Sequence, residues 1–283
     1  MDTLVPVPRA LTWATHVDVL APDRELSRRE GCTVIRSPGN PRHWWGNLLL
    51  FDNAPGPGER RSWEQRFATE FAPDREVQHV TLAWDRTTGE VGAADEFTRA
   101  GYTLEETVAL ICTPDELRPH PRADQSVRIR ALDPSPGADR GLWDQVTDAQ
   151  TQDRPDAEPR AARAFVEQRM ADLRELFRDG RGSWYAALAG DRVVAGCGLV
   201  VTAGRGRYQS VDTLAGFRRR GICSRLVVAA GLHAAEHYDA RRLVICADAH
   251  YHALGLYESL GFARAERAAG VCLASGPRPR SRA

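Results

Sequence analysis

Residues 217–226 read FRRRGICSRL. Three arginines precede a glycine, and an apolar, helix-forming run follows it. A strand-like run, VDTL, ends just upstream. A strand, a glycine turn and a helix in that order leave the first helical amides unpaired and pointing into the turn. The helix dipole adds partial positive charge at the same place, so the junction is suited to an anion. Gly221 lets a phosphate approach the backbone closely, and Arg218, Arg219 and Arg220 can add charge-assisted bonds. A solvated patch of arginines is the plainer reading of such a run, but it would need neither the glycine nor the strand. The GKS or GKT ending of a Walker loop and the GxGxxG of a dinucleotide site are both missing.

The spacing Arg218-x-x-Gly221-x-Cys223 resembles the pyrophosphate signature Arg/Gln-x-x-Gly-x-Gly/Ala of the GNAT superfamily of acyl-CoA-dependent N-acyltransferases. Further on, LYESLGF resembles the second motif of that family, LYxxxGF, again after a strand and on a helix. The resemblance covers about Val127 to Ser275. It departs from the family in two places: Cys223 replaces a smaller residue, and His250, in ADAHYHALGLY, stands where the family often has asparagine.

The resemblance implies an N-acetyltransferase that moves an acetyl group from acetyl-CoA to an amine by direct transfer, with no metal. It implies that Val211, Asp212 and Thr213 pair with the pantetheine arm where two strands splay apart. Backbone amides of Arg218, Arg219, Arg220, Gly221, Ile222, Cys223 and Ser224 would hold the pyrophosphate, with His250 a further cofactor-contacting position. Tyr257 matches the tyrosine that donates a proton to the departing thiolate. The chemistry is coherent: an amine with a reference pKa near 10 must lose a proton before attack, a fixed amide can stabilise the oxyanion, and a phenol can serve the leaving thiolate. Asp212 is the expected base if the pleat turns its carboxylate toward the pocket. Gln209, His250, His252 and a water chain stay open as alternatives.

The elements around these residues follow from periodicity. VRIRAL reads as a strand, and helices are expected around Arg140–Thr147 and Arg160–Arg178. SWYAALAG and DRVVAGCGLVVTAG form a hairpin at Gly190-Asp191, and RYQSVDTL is a further strand. A helix runs through LVVAAGLHAAEHY, RRLVICADA is a buried strand, YHALGLYESL a short helix, and ARAERAAGVCLAS a closing strand. The fold class is α/β (α+β), a mixed central sheet flanked by helices, in two tandem GNAT-like copies.

The second copy is inferred from an internal echo. EFTRAGYTLEETVAL parallels LYESLGFARAERAAG, with Phe97, Gly101 and Tyr102 set against Tyr257, Gly261 and Phe262. The first half offers PGPGERRSW in place of the phosphate signature, and Phe97 cannot donate a proton. The expected organisation is a degenerate, non-catalytic GNAT-like domain at 1–118, a linker at 119–125, the acetyltransferase domain at 126–275 and a disordered tail at 276–283. Trp44 and Trp45 belong either to an interface of the first domain or to its core.

Composition bounds the alternatives. The 283 residues carry 38 basic and 38 acidic side chains and a formal net charge of +0, which argues against a globally basic nucleic-acid binder. Every basic residue is arginine, so lysine Schiff-base chemistry is excluded. Cys32, Cys112, Cys197, Cys223, Cys246 and Cys272 show no CxxC or ligand spacing and read as core thiols. No apolar run reaches the roughly 20 residues that span a bilayer, so the expected place is the cytoplasm, with no membrane partner. Acids in DQVTDAQTQDRPDAEP mildly suggest a cationic acceptor, though a solvated helix face is the plainer reading. The competing function is a non-catalytic acyl-CoA-binding sensor. The acceptor is a small-molecule or protein amine, and monomer and dimer both remain open.

Overall fold

The computed structural model describes residues 6–152 and 158–274; the expected tail at 276–283 lies outside them. In chain order the elements are α1 (Leu11–Asp18), β1 (Glu25–Arg29), β2 (Cys32–Arg36), β3 (Leu48–Phe51), α2 (Arg60–Phe71), β4 (His79–Trp84), α3 (Ala94–Arg99), β5 (Thr103–Cys112), β6 (Arg128–Ala131), α4 (Arg140–Gln152), α5 (Pro159–Arg178), β7 (Gly182–Ala189), β8 (Arg192–Thr202), β9 (Arg205–Thr213), α6 (Ile222–Tyr238), β10 (Arg242–Asp248), α7 (Ala253–Ser259) and β11 (Ala263–Ala274). This is a mixed α/β fold, as expected. The helices and strands read from the second half all form.

The chain divides into two compact units. One takes the described residues up to Val108 and those from Glu266 on; the other takes Ala109–Ala265. Most of β11, the last strand of the sequence, therefore belongs to the first unit. There it pairs antiparallel with β4, Val271 opposite Leu82.

In the first unit β1–β2 and β2–β3 are antiparallel, and β3–β4 is parallel across the α2 crossover. β3 reads LLLF and is buried throughout, the continuous apolar run of a strand covered on both faces. Trp63, Phe67 and Phe71 recur at four-residue spacing and turn one face of α2 inward. Trp63 stacks on Phe51 with ring centroids 3.6 Å apart. Burial of each such side chain stabilises the unit by about 2 kcal/mol. Trp45 packs on Trp13 at 5.7 Å, and Trp44 lies 6.0 Å from the His79 ring. Sequence periodicity missed β1, whose ELSRR is half-exposed and charged as edge strands often are.

In the second unit β6, β7, β8 and β9 form an antiparallel run, and β10 joins parallel to β9 after the α6 crossover. Helices α4 and α5 pack together and against β7 and β8, and α6 also packs against β7 to β9. α5 turns Ala162, Val166, Met170, Leu173, Leu176 and Phe177 inward, a helical apolar stripe. Arg169 and Asp172 are buried in that same stripe. Among the described residues no helix is long and apolar enough to cross a membrane.

Candidate active site

The site begins where two parallel strands stop pairing. β9 and β10 are in register only through Arg205–Arg242, Gly206–Leu243 and Arg207–Val244. Yet β9 runs on to Thr213 and β10 to Asp248. The paired backbone groups end near Arg207, so the last turns of both strands leave a slot between them. The corresponding pair of the first unit does not open: β3 and β4 stay in register to Phe51–Trp84, and the Asp85 amide donates to the Phe51 carbonyl at 2.7 Å beyond them.

A bulge in β9 sets which side chains share a face. Gly198 pairs with Gln209 and Gly196 with Asp212, so three steps on β9 match two on β8. Ser210 absorbs the extra residue with φ of 49°. Gln209 and Asp212 therefore lie on one face, that of Gly196 and Gly198. The Trp184 ring covers both glycines: a Cβ on Gly196 would come 2.9 Å from the indole nitrogen, and one on Gly198 would come 3.2 Å from the ring. The Trp184 indole N–H and the Thr213 hydroxyl are buried with no hydrogen-bond partner. Gln209 accepts from the Arg169 guanidinium at 3.3 Å.

The loop after β9 is drawn tight. Arg218 Nε donates to the Thr213 carbonyl at 2.8 Å, and its guanidinium lies 3.9 Å from the Asp212 carboxylate. Arg219 takes a left-handed backbone, φ 63°. Gly221 is the N-cap of α6 with φ 75° and ψ 11°, and no side chain caps the helix. The first bond into the helix is from the Arg225 amide to the Gly221 carbonyl. The amides of Ile222, Cys223 and Ser224 thus open α6 without an acceptor among the described residues. Burial, and then the Asp212 charge, push the Cys223 thiol up to about 12, so it stays a neutral thiol beside these amides.

Both motif glycines face carbonyls of the segment that leads into β6. A Cβ on Gly221 would sit 2.2 Å from the Arg122 carbonyl oxygen, and one on Gly261, φ 105°, would sit 2.1 Å from that of Glu116. Glycine is required at both places by close approach as well as by backbone angle. The segment is further tied down by the Arg118 amide, which donates to the Leu260 carbonyl at 2.9 Å.

Tyr257 lies on α7 and is only 2% exposed. Its hydroxyl has no hydrogen-bond partner among the described residues, unlike that of Tyr208, which donates to the Val227 carbonyl at 2.7 Å. Burial, and then the neighbouring Cys223 and Cys197 thiols, hold the Tyr257 phenol well above its ordinary pKa. It therefore stays protonated and able to donate. His250 and His252 are exposed, and the His250 amide donates to Asp248 at 2.8 Å.

Val211, Asp212 and Thr213 line the end of β9, and Arg218 to Ser224 form the loop and first helical turn that follow directly. The polar neighbours Arg169, Trp184 and Asp124 were not singled out by the sequence reading. The signal for Arg169 was a charge inside the apolar stripe of α5. Trp184 carries none, because its role depends on two glycines in the next strand. Among the described residues no three His, Cys, Asp or Glu side chains gather as a metal site.

The first unit answers differently at the same place. In its loop the Gly56 amide donates to the Glu59 carboxylate at 2.7 Å and the Gly58 amide to Glu96 at 2.9 Å. Two carboxylates thus occupy the amides that an anion would need. Phe97 is fully buried.

No curated protein matches the sequence. Among solved structures, a functionally unknown conserved protein from Staphylococcus epidermidis aligns with a TM-score of 0.69 at 11% identity, over 89% of this chain and 94% of its own. A GCN5-related N-acetyltransferase from Kribbella flavida aligns with a TM-score of 0.60 at 14% identity, over 89% and 90%. A tandem GNAT protein from the clavulanic acid biosynthesis pathway aligns with a TM-score of 0.53 at 16% identity, over 91% and 85%. These likenesses establish the fold. The family model described as "Acetyltransferase (GNAT) family" matches residues 143–262, the stretch from α4 to just past α7 that holds the slot, the glycine loop and Tyr257. Residues 143–262 are thus similar to the GNAT acetyltransferase family, and the solved structures share the fold of nearly the whole chain.

Proposed function

We propose that the protein is an N-acetyltransferase that moves an acetyl group from acetyl-CoA to an amine of a small molecule or protein, directly and within a ternary complex. The observation that carries this reading is the unpartnered hydroxyl of the buried Tyr257. No protein group among the described residues takes its hydrogen bond, and a departing thiolate could do so. Tyr257 keeps its proton through the neutral range, so it serves as a hydrogen-bond donor to the sulfur.

Val211, Asp212 and Thr213 would offer backbone groups to the pantetheine arm in the slot left by β10. The amides of Arg219 to Ser224 would hold the pyrophosphate, with Arg218 fixing the loop through Thr213. Asp212 shares a face with Gln209, where an acceptor amine would approach, and serves as the base. The first unit is a non-catalytic copy: its strands stay paired, its loop amides are filled by Glu59 and Glu96, and Phe97 replaces the tyrosine.

The test is free-thiol release from acetyl-CoA across an amine panel that includes amino acids, polyamines, aromatic amines and peptide N-termini. Turnover with at least one amine that drops sharply in Tyr257→Phe supports the reading. Acetyl-CoA binding with no thiol release on any amine would turn it into an acyl-CoA sensor.

A further inference from the structure

We infer that Asp124 withholds Arg220 from the pyrophosphate loop and so sets how tightly the second unit takes CoA. The inference rests on the acetyltransferase reading above. Of the three arginines in the loop, Arg218 is committed to Thr213 and Asp212. Arg219 is exposed and has no partner among the described residues. Arg220 is engaged elsewhere: its guanidinium pairs with the Asp124 carboxylate at 2.9 Å and lies over the Phe217 ring at 5.3 Å.

Asp124 is well placed to compete with a phosphate. Its side chain is 14% exposed against 46% for Arg220, so the carboxylate is the more fixed partner. The other oxygen accepts from the Ser126 amide at 2.8 Å and the Ser126 hydroxyl at 2.6 Å. These bonds, with Arg220, hold Asp124 below the ordinary carboxylate range. The segment itself cannot drift off. The Arg225 guanidinium donates to the Asp124 carbonyl at 3.0 Å and also to that of Val127, and the Arg122 carbonyl lies against Gly221. The first unit meets its loop amides with Glu59 and Glu96. In the second unit the amides are left open, and the internal carboxylate takes a side chain instead.

Asp124 is thus a positioning residue that acts on CoA through Arg220. When a pyrophosphate binds, Arg220 must leave a carboxylate to reach it, and binding gains only the difference between two charge-assisted bonds.

The test measures CoA affinity by calorimetry on the full chain. Asp124→Asn keeps an oxygen for Ser126 but loses the charge. It should lower the Kd for CoA about fivefold, the scale of one exposed ion pair. The gain should shrink at roughly 0.5 M salt. Adding Arg220→Ala to Asp124→Asn should erase it, which a merely structural role of Asp124 would not predict. In turnover assays the KM for acetyl-CoA should fall with kcat unchanged. A Kd that is unchanged or higher in a well-folded Asp124→Asn, or a gain that survives removal of Arg220, overturns the inference. If wild type binds CoA and the variant matches it, the inference alone fails. If neither binds CoA, the acetyltransferase reading fails with it.

Discussion

Arg218 and Thr213 are joined by a bond that turns the chain back on itself. The Arg218 Nε donates to the Thr213 carbonyl at 2.8 Å, five residues upstream. The bond closes the turn between the last residue of β9 and the loop that starts α6. It also brings the guanidinium to 3.9 Å from Asp212. Arg218→Ala should therefore raise the KM for acetyl-CoA by about tenfold, the cost of one charge-assisted bond, with a smaller loss in kcat. Arg218→Lys should recover only part, since an ammonium cannot reproduce the planar fork. Equal KM values in wild type and Arg218→Ala would remove the bond from cofactor binding.

Tyr257→Phe separates chemistry from binding. The variant keeps the buried ring and loses only a hydroxyl that has no protein partner, so folding should be unaffected or slightly favoured. We expect kcat to drop by about 10²-fold with CoA affinity within twofold of wild type. Because burial raises the phenol pKa, wild-type kcat should show no alkaline fall assignable to Tyr257 below the ordinary tyrosine value of 10.0. A descending limb near neutral pH that vanishes in Tyr257→Phe would contradict this account of the donor.

Gly221→Ala probes why the motif needs glycine. The residue sits at φ 75°, and a Cβ would lie 2.2 Å from the Arg122 carbonyl oxygen, a backbone atom that cannot swing away. We expect destabilisation of about 2 kcal/mol or more, a drop in Tm of about 5 °C, and loss of measurable CoA binding. An alanine variant with wild-type Tm would show that the segment before β6 does not press on this loop in solution.

The helices and strands of the second unit were legible because each has a strong period or a strong punctuation. Gly190-Asp191 marks the β7–β8 turn, and LVVAAGLHAAEHY is an apolar run too long for an ordinary strand. The slot was expected from the family resemblance alone and not from the residues' own pattern. It depends on where β9 and β10 stop pairing, and neither VDT nor ADA carries a local signal for the end of a ladder. Nor could pleat alternation be counted along β9, since the extra residue at Ser210 shifts Asp212 onto the face of Gln209. Asp124 stayed hidden in a Pro-rich, charged stretch that reads as solvent-exposed by composition alone. The echo between the halves was visible in Phe97 and Tyr257, but not the placement of β11 with β4, because strand partners so far apart in the chain leave no mark on either sequence.

One CoA should bind per chain. The second unit presents unfilled amides at Ile222, Cys223 and Ser224. In the first, Glu59 and Glu96 already accept from Gly56 and Gly58, and a carboxylate lining the loop would repel a phosphate. Calorimetry should give a stoichiometry near one, and Glu59→Gln with Glu96→Gln should not add a second site, since β3 and β4 remain paired to Trp84. Two equivalents of CoA on wild type would end the description of the first unit as a non-binding copy.

His79 makes the first unit sensitive to acid. The imidazole is buried, with Nε2 bonded to the Asn47 carbonyl at 3.1 Å. Burial lowers its pKa from 6.5 to about 4, and the backbone bonds offset this only in part. The folded state therefore binds its proton later than the unfolded chain does. Between pH 6.5 and 4 the unfolded state holds more protons, so stability rises with pH across that window and is lost as pH falls through it. The shift amounts to about 3 kcal/mol when the window is fully crossed. Thermal melts from neutral pH to pH 4 should show the loss in wild type. His79→Gln should be less stable at neutral pH yet flatter over the same range, because glutamine has no proton to gain. Parallel profiles for the two proteins would mean that carboxylates elsewhere, not His79, govern the acid response.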